Sequence, residues 1–163
     1  MTNFYDFHAK NIEGDDTDLS AWRGKVVLVV NVASRCGFTP QYEGLEQLHQ
    51  KFAAQGFAVM GFPANDFGEQ EPGTDAEIKT FCTTRFGVTF PMLAKVAVTG
   101  ADKHPLYDWL TTSFELRGDV QWNFEKFLVG KDGVVLGRYT SSVNPSSNEL
   151  VGAVERALQA PGG

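Results

Sequence analysis

Two short apolar runs stand out along the chain, Val26-Val27-Leu28-Val29-Val30 and Phe57-Ala58-Val59-Met60-Gly61-Phe62. Each follows a glycine closely, Gly24 or Gly56, and neither alternates with polar residues, so each predicts a buried central strand. Between them Tyr42, Leu45, Leu48 and Phe52 fall on one helical face, predicting a helix near 40–55 that Gly56 stops. Thr39 is a candidate N-cap for this helix, and Pro40 suits its first position. Strand, helix and strand at this spacing predict a parallel pair with a right-handed crossover.

The flanking patterns fill in the rest. From Phe4 to Ile12 the alternation suggests a short strand pair, and residues 63–73, rich in Gly, Pro, Asn and Asp, read as a loop. Thr74-Asp75-Ala76-Glu77 fits a capping box, opening a helix that carries Ile78, Phe81, Cys82 and Phe86. A further helix is expected over His104 to Ser113, starting at Pro105. Phe124 to Tyr139 reads as a hairpin turning at Lys131-Asp132-Gly133. Ser146-Ser147-Asn148-Glu149 fits a second capping box, before a last helix with Leu150, Val151, Val154 and Leu158. These elements sum to one α/β layered domain over 1–160, with a loose tail at 161–163.

Composition changes this picture little and mainly excludes. A chain of 163 residues, 42% hydrophobic and 21% charged, has room for a single real core. Its net charge of −6 and lack of a basic cluster argue against a nucleic-acid partner. No apolar run has the length of a membrane span, and the first residues lack a basic stretch followed by an apolar one. With only two cysteines, Cys36 and Cys82, the expectation is a cytoplasmic chain with free, catalytic or transiently bridged thiols. His8, His49 and His104 show no ligand spacing, so neither a metal nor another cofactor is expected.

Cys36 carries the strongest chemical signal. The pattern places it in the turn between a core strand and a helix N-terminus, where backbone N–H groups and the helix dipole favour a thiolate. A small buried hydrophobe is the competing reading of any lone cysteine. The residues around it decide between the two. Asn31-Val32-Ala33-Ser34-Arg35-Cys36-Gly37 resembles the signature around the active-site cysteine or selenocysteine of glutathione peroxidases. The segments Phe62-Pro63-Ala64-Asn65-Asp66-Phe67-Gly68-Glu69-Gln70-Glu71-Pro72-Gly73 and Trp122-Asn123-Phe124-Glu125-Lys126-Phe127-Leu128 resemble that family's second and third signatures, in the same order.

The resemblance implies a thioredoxin-like fold, with a central mixed β-sheet flanked by helices. It implies a thiol peroxidase acting on hydrogen peroxide and organic or lipid hydroperoxides. The family's catalytic positions fall on Cys36, Gln70, Trp122 and Asn123. Two side-chain amides and an indole N–H are neutral donors, suited to a thiolate and to the oxygen that leaves when an O–O bond breaks. Phe81-Cys82 resembles the place where thioredoxin-dependent members keep a resolving cysteine, which would close a Cys36–Cys82 disulfide. Cys82 also has the spacing of an inert core thiol, and delivering it would require the helix to unwind locally. Thioredoxin is then the expected reductant, with glutathione as the other choice. A peroxide sensor or relay passing oxidation to a partner protein would use the same cysteines.

Some positions depart from the family pattern. Ala64 and Asp66 stand where many relatives have Cys and Gln, and position 36 holds cysteine rather than the selenocysteine of vertebrate enzymes. The stretch Leu110 to Gln121 is short compared with tetrameric relatives, which predicts a monomer with an open site. Arg35, Lys103, Arg117 and Lys126 are expected to be solvated surface charges rather than a glutathione clamp.

Overall fold

The two apolar runs pair with each other in the main sheet of the computed structural model, which describes residues 2–115 and 117–161. The first is an inner strand and the second, although buried, is the terminal strand. In chain order the strands are β1 (His8–Lys10), β2 (Asp16–Asp18), β3 (Val26–Val32), β4 (Phe57–Pro63), β5 (Lys126–Val129) and β6 (Val135–Tyr139). The helices are α1 (Gln41–Phe52), α2 (Asp75–Phe86), α3 (Pro105–Thr112) and α4 (Asn148–Gln159). Among the described residues the main sheet has the order β4-β3-β5-β6, and β1 and β2 form a separate antiparallel pair. β3 pairs with β4 in parallel, from Val26 opposite Phe57 to Val32 opposite Pro63. β3–β5 and β5–β6 are antiparallel, so the sheet is mixed, as expected.

All seven residues of β3 and all seven of β4 are buried, which explains why their sequences do not alternate. Val26, Leu28, Val30 and Val32 pack on one face with Tyr42, Leu45, Ile78, Leu150 and Val154, from α1, α2 and α4. Val27 and Val29 point to the other face, against Leu106, Tyr107 and Leu110 of α3 and Phe4 and Leu19 near the N-terminus. Each fully buried valine or leucine contributes roughly 1.5–3 kcal/mol to holding these layers together.

Several predicted boundaries shift. The stretch Phe4 to Ile12 does not pair with itself; it is a 3-10 turn at Phe4–Asp6 followed by β1, whose partner β2 comes later. The Thr74–Glu77 capping box is present at α2, with the Glu77 amide donating to Thr74 Oγ1 at 3.2 Å and Thr74 N donating to Glu77 Oε1 at 2.9 Å. At α4 the cap is Ser147, not Ser146: Ser147 Oγ accepts from Leu150 N, while Ser146 Oγ bonds the Asn144 side chain. The hairpin turns where expected, with Gly133 at φ +82°. Of the tail expected at 161–163, Gly162 and Gly163 lie outside the described residues.

Candidate active site

The chain leaves the C-terminal end of β3 through a set of tight turns that carry Cys36 toward α1. Cys36 N donates to Thr39 Oγ1 at 2.9 Å, and that hydroxyl donates to Ala33 O at 2.8 Å. Thr39 is therefore not the cap of α1; its side chain closes the Cys36 loop, and α1 begins after Pro40 without a side-chain cap. Gln41 N, Tyr42 N and Glu43 N donate to Phe38, Thr39 and Pro40 carbonyls, so the turns run straight into the helix. Phe38 N donates to Cys36 Sγ at 3.3 Å. A backbone donor aimed at sulfur stabilises negative charge there. The cysteine is 8% exposed, shielded but not sealed.

Two loops meet this turn. Gly68 and Glu69 both have positive φ, at +64° and +52°, and this left-handed step turns the chain back so that Gln70 O accepts from Arg35 N at 3.0 Å. The side chain of Gln70 accepts from Asn123 Nδ2 at 3.0 Å. Trp122 packs its ring against Phe67, with centroids 5.6 Å apart. A Cβ added at Gly68 would stand 3.4 Å from Trp122 Cη2 and from Gln70 Cγ, so the glycine keeps the indole close to Gln70. Trp122 is 36% exposed, which leaves the site open to solvent on the indole side. Gln70, Trp122 and Asn123 are thus brought together, and the Arg35–Gln70 bond joins them to the residue before Cys36.

The third loop is held at some cost. Phe124, fully buried, has φ +65°, a conformation that costs a non-glycine residue about 1–2 kcal/mol. Three ties hold it there. Phe124 N donates to Asn31 O at 2.6 Å, Asn31 Nδ2 donates to Trp122 O at 3.0 Å, and Lys126 Nζ donates to Phe124 O at 2.8 Å. Lys126 also donates to Ser141 O at 3.3 Å, a carbonyl shared with Gln41 Nε2 of α1 at 2.8 Å.

Lys126 overturns one sequence expectation. It is fully buried, not a solvated surface charge, and burial pulls its pKa down to about 7 against the opposing charge of Glu125. Arg35 and Arg117 are exposed as expected, and Lys103 is paired with Asp119 at 2.8 Å. Sequence reasoning missed Asn31, Thr39 and Lys126 as supports of the site. A lone Lys opening the buried strand Lys126-Phe127-Leu128-Val129, and an Asn in the buried run of β3, were the available signals. Asp66 has a structural role: its Oδ2 accepts from Val98 N, Thr99 N and Thr99 Oγ1, fixing the loop that leads toward α3.

Cys82 stands apart from this group. It lies inside α2, 1% exposed, in the same apolar cluster as Cys36, and both thiols are free. Burial pushes its pKa up to about 11; the Tyr42 hydroxyl beside it favours the thiolate and the Glu71 charge opposes it. A cavity of about 480 Å³ reaches Cys82 past Ile12, Val88, Phe90 and Met92. None of Cys36, Gln70, Trp122 or Asn123 lines it, so this cavity is separate from the donor cluster.

The sequence model described as Glutathione peroxidase matches residues 4–111. The glutathione peroxidase-like peroxiredoxin gpx1 of Schizosaccharomyces pombe is 50% identical over 151 residues, covering 91% of this chain and 96% of the relative. The hydroperoxy fatty acid reductase gpx1 of Synechocystis is 48% identical over 162 residues, covering 94% and 95%. Among solved structures, Trgpx in apo form superposes with a TM-score of 0.82 at 40% identity, covering 99% of both chains. A thiol:disulfide interchange protein of the thioredoxin family from Chlorobium tepidum superposes with a TM-score of 0.71 over 96% of both chains, at 16% identity. That last likeness shows that the fold is thioredoxin-like. The match over most of the chain, together with these relatives, shows that the protein belongs to the glutathione peroxidase family and is a peroxidase of the oxidoreductase class.

Proposed function

We propose that this peroxidase reduces hydrogen peroxide and organic or lipid hydroperoxides with Cys36 as the attacking thiolate. The Cys36 sulfur takes one peroxide oxygen and becomes a sulfenic acid as the O–O bond breaks. The other oxygen leaves with the bonding electrons as alkoxide or hydroxide and is protonated to an alcohol or water. Donors from Gln70, Trp122 and Asn123 stabilise that leaving oxygen as its charge develops. The observation that carries this reading is the direct Asn123–Gln70 hydrogen bond, in a loop pair tied by Gln70 O to the residue before Cys36.

Cys82 then attacks the sulfenic acid and closes a Cys36–Cys82 disulfide, releasing water, after α2 has opened. A protein dithiol of the thioredoxin type returns both thiols by exchange, with glutathione as the competing donor. We place the enzyme in the cytoplasm as a monomer, on the strength of its two-cysteine composition and the short stretch Leu110 to Gln121.

The test is steady-state peroxide consumption with thioredoxin, its reductase and NADPH, beside the same assay with glutathione. Cys36→Ser should abolish turnover and keep the fold, because a hydroxyl is nearly isosteric and far less nucleophilic. An active Cys36→Ser variant refutes the assignment of the nucleophile. A wild-type protein that forms the disulfide yet sustains no NADPH turnover would be a relay rather than a thioredoxin-dependent enzyme.

A further inference from the structure

Glu71 is a buried acid that nothing above employs. It has no exposed surface, yet its Oε2 has no hydrogen-bond partner among the described residues. Oε1 accepts from Ser34 N at 3.1 Å, two residues before Cys36, and Glu71 N donates to Asn65 Oδ1 at 2.8 Å. A buried carboxylate oxygen without a protein partner is costly, so its presence calls for a use. The side chain lines a cleft of about 200 Å³ between the Cys36 loop and α2, together with Ser34, Arg35, Ile78 and Phe81.

The charged and titratable groups around it come from every neighbouring element. Burial is the largest effect and raises its pKa; the Ser34 hydroxyl and backbone N–H beside it favour the carboxylate form, and the Lys95 and Arg35 charges do so more weakly. On the facing helices, the charge of Glu71 is felt by Tyr42 of α1 and by the Cys82 thiol of α2, raising both. Glu77 of α2 lines the same cleft. Glu71 is therefore an acid with a free oxygen, anchored to the Cys36 loop and electrostatically coupled to the second thiol. Its anchors belong to the loops, so it stays beside Cys36 when α2 opens.

We propose that Glu71 is the proton carrier of the resolving step, taking the proton from the Cys82 thiol and giving it to the oxygen that leaves Cys36. The inference rests on the resolving role given to Cys82 above. The Cys82 S–H bond breaks and its proton goes to the Glu71 carboxylate. The freed electron pair forms the S–S bond, and the Cys36 S–O bond breaks. Hydroxide departs with that bond's electrons and takes the proton from Glu71, leaving a disulfide, one water and the original carboxylate. The Cys82 sulfur is oxidised and the Cys36 sulfur reduced, so no further reactant is needed. A neutral thiol is a poor nucleophile, and even a freed cysteine is mostly neutral at pH 7, which is why the step calls for a base.

The test is single-turnover oxidation of wild type and Glu71→Gln with one equivalent of peroxide, following sulfenic acid and disulfide separately. Gln keeps the side-chain shape and the acceptor for Ser34 N. Sulfenic acid should form at the wild-type rate, whereas disulfide formation at neutral pH should slow by roughly 10²-fold or more, as for loss of a general acid–base. The residual rate should climb about tenfold per pH unit toward the ordinary thiol pKa of about 8.5, because hydroxide must then do the work of the carboxylate. Wild-type disulfide formation in the variant overturns the proposal, as does equal slowing of both steps, which would mark a merely structural residue. Should the variant not fold, the wild-type pH profile decides: a tenfold-per-unit climb through neutral pH refutes Glu71, and a plateau supports it. A wild-type protein that forms no Cys36–Cys82 disulfide refutes the resolving role itself, and this proposal with it.

Discussion

Replacing Lys126 by Met tests how a buried cation supports the loop that carries Trp122 and Asn123. The wild-type lysine is fully buried, and burial lowers its pKa from 10.5 to about 7. In the unfolded chain the amine keeps its proton up to about 10.5, while the folded protein releases it near 7. Between those values the unfolded state binds more protons, so stability rises with pH, by at most about 1.4 kcal/mol per unit. The penalty for burying the charge is fully present below pH 7. Cys82 acts in the opposite sense: its thiol titrates at 9.0 when unfolded and at about 11 when folded, so its contribution is lost as pH climbs above 9. The net rise is thus confined to pH 7–9 and amounts to no more than about 2–3 kcal/mol. Lys126→Met abolishes that rise and leaves Phe124 O without its lysine donor, a loss of about 1–3 kcal/mol for an orphaned buried carbonyl. Urea denaturation at constant ionic strength from pH 6 to 9, read as midpoint and slope, measures both effects. If wild type shows no rise across pH 7–9, or the variant shows the same one, Lys126 is not the titrating group and the argument from its burial is wrong.

Three further outcomes follow from the same geometry. Asn123→Ala should slow sulfenic acid formation by roughly 10²-fold in stopped-flow peroxide decay, if one oriented donor counts here as it does in oxyanion holes; an unchanged rate would leave Asn123 as a loop former. Thr74→Ala removes the capping box of α2, about 1 kcal/mol, and should speed Cys36–Cys82 disulfide formation about fivefold by easing helix opening. Quenched-flow mass spectrometry reads this directly, and a disulfide formed at the wild-type rate would mean that α2 does not open from its N-terminus. Cys82→Ser should form sulfenic acid normally, then stall and over-oxidise with excess peroxide, and full turnover with thioredoxin would make Cys82 a core residue.

The sequence by itself determined the elements whose signals are local. β3 and β4 are seven-residue apolar runs, the α2 capping box is a four-residue pattern, and Gly133 serves the hairpin; each rests on neighbours a few positions away. The resemblance around Cys36, Gln70, Trp122 and Asn123 singled out the candidate site residues, because signature blocks are legible as contiguous words. What sequence could not decide was where side chains go when partners compete for them. Thr39 reads as a helix cap, yet its hydroxyl closes the Cys36 loop through Cys36 N and Ala33 O, a choice between two nearby uses of one side chain that the pattern leaves open. Lys126 reads as a solvated charge, yet the antiparallel pairing of β5 with β3 sets it opposite Val30, where the Phe124 and Ser141 carbonyls replace water. Asp66 and Glu71 sit in one polar loop, and only the packed fold sends the first to three donors near Thr99 and leaves the second buried with a free oxygen. Local propensity and periodicity depend on bonds between near neighbours. Burial, pKa and the meeting of the Gln70 and Asn123 loops depend on which surfaces the sheet brings together, and that is decided only when the layers pack.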